Sequence, residues 1–339
     1  MRIPKLLLAF WVTLLVTSHA QLLAQEGSCD IPLVVSRFVA ADGTVELVKD
    51  LTAKDLNIKV GGSPRTVKNL AIDTGSRRVA LILDASKRVS QEEWKLETDM
   101  AVSLIENARA LDRFVLLVVG VDTPAAPLLP LGDMQAHLRE IGSSRPVTDA
   151  HERIYDALLT AANRFDPPSF GDAILMFGHP DDVGSKATAD QIEELILRNR
   201  LRFYGLSFAD PLRNKLPSGF DLNKPLPANV LREQVDTISH ATGYFVSYHQ
   251  VEALKFPGQR PLLEKFLGDL YEGIAGPYRL TISPNKSDKA TLELGVVTGK
   301  NRNIRRDDVH YPHFIYPCAS QYMKERSDHG PSPVFNQLD

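Results

Sequence analysis

The sequence predicts an α/β protein: a doubly wound, mostly parallel sheet with helices on both faces, plus a small split β domain. Three observations carry this. Strand-length apolar runs without polar alternation recur at 79–83, 114–119 and 173–177, the pattern of strands buried on both faces, and 201–208 reads as a further strand. Segments with helical spacing of apolar residues separate them. Toward both ends of the chain the pattern changes to alternation at period two, the mark of half-exposed strands.

The elements follow in order. Arg2 and Lys5 precede an apolar run at 6–16 and then small residues, with Ala20 and Ala24 as cleavage positions. Residues 1–24 therefore read as a secretory signal peptide, too short for a membrane span. Glu26, Gly27 and Ser28 before Cys29 make a poor lipidation signal, so no lipid anchor is expected. No later stretch is long and apolar enough to cross a bilayer, so the mature chain is expected to have no transmembrane segment. The expected location is outside the cytoplasm, periplasmic or secreted.

Residues 33–72 read as the first half of the β domain. Asn57, Ile58, Lys59 and Val60 alternate, and Gly61-Gly62 supplies a hairpin turn into 65–70. The α/β domain spans 77–275. Its first helix covers 91–109 with Leu96, Met100, Leu104, Ala101, Ile105 and Ala108 inward. Others cover 134–141, 150–165, a segment capped by Thr188 and Gln191, and 261–274. Residues 211–227, rich in Pro, Gly, Asn and Asp, form a long loop; 243–248 is the last strand of the sheet. Alternation returns at 277–312, the second half of the β domain. Residues 319–339 lack periodicity and read as a disordered tail.

Charge narrows the function. The chain has 39 Lys and Arg against 42 Asp and Glu, a net charge of −3, and loss of Arg2 and Lys5 with the leader makes it more acidic. Nucleic acid and anionic membranes call for a basic face, so neither is expected as partner. Cys29 and Cys318 are the two cysteines. An even count at the ends of an exported domain predicts a disulfide between them.

The run at 79–83 ends on Asp84, Ala85, Ser86, Lys87 and Arg88; Ser90 and Glu93 then form a capping box. A carboxylate and a hydroxyl are thus placed at the carboxyl edge of the sheet, where open α/β folds bind ligands. Thr148, His151 and Glu152 precede one helix, and His179, Asp181 and Asp182 follow the 173–177 strand. All belong to loops on that same edge. The expected partner-binding residues are Asp84, Ser86, Arg88, Thr148, Glu152, His179, Asp181 and Asp182.

Asp84-x-Ser86 after an apolar strand resembles the start of a von Willebrand factor A-type domain, whose metal-ion-dependent adhesion site begins D-x-S-x-S. Leu51 to Arg65, Tyr155-Asp156-Ala157 and Gly276 to Pro284 resemble segments of the bacterial secreted "VWFA-related" group. The resemblance covers about residues 33 to 312. It implies a non-catalytic protein-interaction or adhesion module. Asp84 and Ser86 match the first two metal-ligand positions. Arg88 stands at the third, Glu152 at the fourth with Thr148 nearby, and His179 at the fifth. Mg²⁺ demands octahedral oxygen ligation, and a guanidinium repels a dication. The resemblance therefore implies a degenerate site with Asp84 and Ser86 as vestiges, no resident metal and no other cofactor. Arg88 is expected to pair with Asp84 or Glu152 in place of the cation.

The enzymatic alternative is a hydrolase at the same edge, with Ser86 served by His179. No G-x-S-x-G, Walker, H-E-x-x-H or C-x-x-C motif occurs, so the chain is not expected to be an enzyme. A structural component of an envelope complex is a further alternative. His151, Glu152, His179, Asp181 and Asp182 lack the tight spacing of a zinc site.

Overall fold

The structure is a computed structural model. It describes residues 28–39, 44–87, 89–121, 127–146, 151, 153–179, 182–207, 238–239, 241–242, 246–248, 259–283, 289–297, 304 and 308–317. The expected leader, the tail, the 211–227 loop, Cys318, Arg88, Thr148, Glu152 and Asp181 lie outside the described residues.

The molecule is mixed α/β, with one six-stranded sheet and two antiparallel ones. The six-stranded sheet has the order β11-β10-β9-β6-β7-β8. Its strands are β6 (Arg78–Asp84), β7 (Arg113–Val119), β8 (Leu129–Pro130), β9 (Ala173–Gly178), β10 (Arg202–Ser207) and β11 (Val246–Tyr248). All its pairings are parallel except β7 with β8. β8 was not foreseen: two residues are too short to leave a pattern.

β6 shows why these strands read as continuous apolar runs. Val79, Leu81 and Leu83 pack on one face, and Ala80 and Ile82 on the other. The first face is covered by helices α1 (Gln91–Ile105), α2 (Leu131–Gly142) and α5 (Gln259–Ala275). The second is covered by α3 (Ile154–Asn163) and α4 (Ala189–Arg198). A position buried on either face has no use for a polar side chain.

The first helix departs from expectation. It ends at Ile105, and its buried residues are Trp94, Glu97, Thr98, Met100, Ala101, Leu104 and Ile105, with Leu96 only partly covered. The face is set by Trp94, whose indole Nε1 donates to the Ile141 carbonyl at 3.0 Å. Counting from Trp94 at helical spacing brings Glu97 and Thr98 inward.

The two antiparallel sheets join the ends of the chain. β1 (Cys29–Val39) pairs with β12 (Tyr278–Ile282), and β12 pairs with β5 (Val67–Ile72); β2 (Thr44–Leu47) and β14 (Val309–His310) also pair with β1. The other sheet has the order β15-β13-β3-β4, from Phe314–Ile315, Ala290–Val296, Leu56–Val60 and Ser63–Arg65. The β3–β4 hairpin turns at Gly61 and Gly62, with φ of 56° and 75°, values of a turn that needs positive φ at both central residues. The strand expected at 65–70 is divided. β4 stays with β3, whereas β5 crosses to β12. β1 begins at Cys29, ahead of the expected Leu33.

Two buried arginines hold α5 at the amino edge of the central sheet. Arg77 Nε donates to the carbonyls of Ile274 and Ala275 at 3.2 and 3.1 Å, and Nη1 pairs with Asp73 at 2.7 Å. Arg202 donates from Nη1 to the Gly273 carbonyl at 3.1 Å and from Nη2 to that of Ile274 at 2.7 Å; it also bonds the Gly171 carbonyl. These acceptors include the last carbonyls of α5, which no helical N–H satisfies, at the negative end of the helix dipole. Asp112 completes the seat by accepting from Arg77 N at 2.7 Å and the Tyr271 hydroxyl at 2.6 Å.

Candidate functional site

β6 lies between β7 on one side and β9 on the other. Successive connections therefore leave β6 in opposite directions, so the carboxyl ends of β6 and β9 meet at a topological switch point, the position at which open α/β sheets hold ligands. Asp84 ends β6 and Gly178 ends β9.

The turn after β6 is built on Asp84. Ser86 N donates to Asp84 Oδ1 at 2.8 Å, and Ala85 N to the Val119 carbonyl at 3.1 Å. Ser90 then caps α1: Glu93 N donates to Ser90 Oγ at 3.1 Å, and Ser90 N to Glu93 Oε2 at 2.7 Å. This is the capping box expected from sequence. Asp84 and Ser86 are fully buried, and the Ser86 hydroxyl has no partner of good hydrogen-bond geometry among the described residues.

Gly178 closes the site from β9. Its φ is +129°, and a Cβ there would lie 2.3 Å from Asp84 Cβ. Only glycine permits this approach. The next amide, His179 N, donates to Asp84 Oδ2 at 3.4 Å. The His179 imidazole goes elsewhere: Nε2 lies 3.9 Å from Glu93 Oε1. His179 thus meets Asp84 through its backbone.

Two further residues shape the turn. Arg145 Nη1 donates to the carbonyls of Ala85 and Ser86 at 3.0 and 3.2 Å. Glu97 reaches up from α1, and its Oε2 accepts from Asp84 N at 2.8 Å, while Oε1 is buried without a partner among the described residues. Neither was found by sequence reasoning. Nothing in sequence marks Arg145; for Glu97 the signal was the spacing from Trp94 through Ala101 to Leu104 and Ile105.

Burial pushes the Glu97 carboxyl well above the ordinary 4.5, and the charges of Asp84 and Glu93 add to this. Burial also raises Asp84, against the bonds from Ser86 and the nearby His179. The sign of the linkage follows. With a raised folded-state value, the native protein binds more protons than the unfolded chain above pH 4.5, so stability falls as pH rises toward that value. Glu97→Gln keeps an acceptor for Asp84 N and removes the titration. Urea midpoints at pH 5 and pH 8 should fall less with pH in the variant than in the parent. Identical pH dependence would contradict this.

Asp182 serves the neighbouring helix. Its Oδ1 accepts from Tyr155 N at 2.9 Å and from Ser185 Oγ at 2.6 Å. The N-cap position of α3 is Arg153, which supplies no side-chain cap, so Asp182 caps the helix from across the sheet edge. Asp156 Oδ1 in turn accepts from Lys186 N and Ala187 N, both at 3.0 Å. The structure thus brings Asp84, Ser86 and His179 together and places Asp182 on the adjoining loop. The expected pairing of Arg88 with Asp84 or Glu152, and the placement of Thr148, Glu152 and Asp181, lie outside the described residues.

Among the described residues, Asp84 and Ser86 are the two expected oxygen donors at this edge, both fully buried, and Mg²⁺ would require several more oxygen ligands. Among the described residues, no group of three His, Cys, Asp or Glu side chains is arranged to hold a metal ion.

No family model matches the chain, and no curated protein matches it. Solved structures do. Proximal thread matrix protein 1 from the mussel byssus is 11% identical with a TM-score of 0.45, over 62% of this chain and 50% of its own. This chain therefore spans half of that protein. A von Willebrand factor type A protein from Catenulispora acidiphila is 10% identical with a TM-score of 0.44, over 86% of this chain and 75% of its own. BatB from Bacteroides thetaiotaomicron is 14% identical with a TM-score of 0.40, over 59% of this chain and 98% of its own.

Proposed function

We propose that the chain is an exported, non-catalytic protein-interaction or adhesion module with a doubly wound domain of von Willebrand A type. It binds a protein partner at the carboxyl edge of the central sheet without a resident metal. The observation that carries this reading is the topological switch point between β6 and β9, where Asp84, Ser86 and Gly178 form a closely packed turn at the carboxyl edge of the sheet.

The arrangement at this turn favours a binding role over catalysis. A nucleophile needs a base within hydrogen-bond reach. Among the described residues Ser86 Oγ is buried without a hydrogen-bonded base, and the His179 imidazole Nε2 lies 3.9 Å from Glu93 Oε1. The surface offered to a partner is the rim above, where Lys87 and His151 are exposed.

A pull-down from envelope extract tests the reading. The parent should capture the same partner with and without chelator, and Lys87→Glu with His151→Glu should lose it. Capture abolished by chelator, or unaffected by the double substitution, would contradict the reading.

Export fits a bridge between Cys29 and Cys318. Cys29 is buried in β1. Asp30 next to it lines the same small cavity as Tyr316 and Pro317, so the residues beside each cysteine converge. A loop of this length, closed by a bridge, contributes up to about 5 kcal/mol through loss of unfolded-chain entropy. Mass spectrometry of unreduced, alkylated protein from the periplasm or medium should find no modified cysteine. Two alkylated thiols would refute the bridge.

A further inference from the structure

The residues after β14 lie against α4. Arg198, at the carboxyl end of α4, stacks on the Tyr316 ring with Cζ 4.2 Å from its centroid. Lys289, where β13 begins, has Nζ 4.4 Å from the centroid of the Phe314 ring and 2.9 Å from Glu193 Oε1 of α4. Arg198 is itself held by Glu194 at 2.6 Å. Leu197 and Leu201 share a cavity of about 30 Å³ with Ile315 and Pro317, room for one water. The β15 ladder behind these contacts is short: Phe314 and Ile315 pair with Thr291 and Ala290.

The other end of α4 is tied to the candidate edge. Thr188 and Gln191 form its capping box. Lys186 and Ala187, just before it, donate to Asp156 of α3, and Ser185 and Asp182 bind the first turn of α3. A ten-residue helix is a rod of about 15 Å. It is capped at one end and gripped at the other, so contacts at the two ends are linked through it.

We propose that residues 314–316 form a strap that grips the carboxyl end of α4 and thereby sets the 182–187 loop at the sheet edge. Releasing the grip loosens that loop and the edge with it. The grip on α4 includes two cation–aromatic contacts and one ion pair, beside the two-residue β15 pairing and the buried Ile315 side chain that anchor the strap itself, so loss of the aromatic and charged contacts loosens α4 while the strap stays in place. This describes regulation of the edge and rests on reading that edge as the interaction surface; the experiment below tests the coupling alone, and the pull-down tests the surface.

Hydrogen exchange followed by mass spectrometry tests it on the full chain. In Lys289→Ala/Tyr316→Ala, exchange across 182–188 should rise roughly fivefold or more, as expected for loss of two cation–aromatic contacts. Exchange in α1 should stay as in the parent. Tyr316→Phe keeps the ring under Arg198 and should stay closer to the parent than to the double alanine across 182–188. A rise confined to 289–291 and 312–317 would overturn the proposal. So would an equal rise in α1, which would mean general loosening, or a Tyr316→Phe variant that behaves like the double alanine.

Discussion

Arg202→Ala is expected to destabilise the protein by about 3–5 kcal/mol, read as a lowered urea midpoint with an unchanged slope. The guanidinium is fully buried and satisfies the carbonyls of Gly171, Gly273 and Ile274. Alanine leaves these groups without their donor and opens a large cavity against Tyr204 and α5. One effect opposes the loss. Arg77 is close enough that the Arg202 charge lowers its pKa, burial being the larger cause, so removing Arg202 relieves a like-charge contact. That relief is the smaller effect, because Arg77 keeps Asp73 at 2.7 Å. Arg202→Lys should recover less than half of the lost stability, since an ammonium cannot reproduce a planar fork spread over separate carbonyls. A loss below 1 kcal/mol for the alanine variant would show that α5 is seated by its apolar face alone.

Gly178→Ala should cost about 2–5 kcal/mol, combining positive-φ strain with overpacking. The new methyl would meet Asp84 Cβ at 2.3 Å, and that atom is fixed to the backbone of β6, so no rotamer change relieves the clash. The ends of β6 and β9 must separate, which breaks the His179 N to Asp84 contact and strains the Glu97 bond to Asp84 N. Gly184→Ala is the internal control. Gly184 has φ of +95°, but its added Cβ would meet nothing nearer than His151 Cβ at 4.0 Å. It should show the backbone strain alone, about 1 kcal/mol. Equal effects at the two glycines would mean that the closure over Asp84 is loose.

These two residues also mark the limits of the sequence. The apolar runs at 79–83, 114–119 and 173–177 were legible as buried strands because a residue covered on both faces leaves one kind of signature. The Ser90–Glu93 and Thr188–Gln191 caps were legible because they are local, with both partners within a turn. Arg202 was not, since its acceptors are carbonyls of residues 171, 273 and 274, and a carbonyl has no letter. Gly178 reads as one more turn glycine until Asp84 is placed beneath it.

At the site, Asp84, Ser86 and His179 were brought to one edge by strand order, which the sequence pattern supports. The role of His179 was not legible, because its amide rather than its imidazole faces Asp84. Glu97 was hidden although most of the inward face was legible: Met100, Ala101, Leu104 and Ile105 are buried as expected, but a glutamate is an unexpected occupant of a core position. Asp182 was legible as an edge residue, but its capping of α3 depends on a contact across the loop.

The central claim is an interaction edge that works without a divalent cation, and its most direct test is metal titration of the purified protein. Thermal melting and calorimetry are run with Mg²⁺ and with Mn²⁺ up to about 10 mM, then again after chelator. A site with a dissociation constant of about 0.1 mM would add about 2.7 kcal/mol at that concentration, well within reach of a melting curve. The account predicts no saturable heat and no shift in melting temperature with either metal. A saturable heat with a stabilisation reversed by chelator would contradict it.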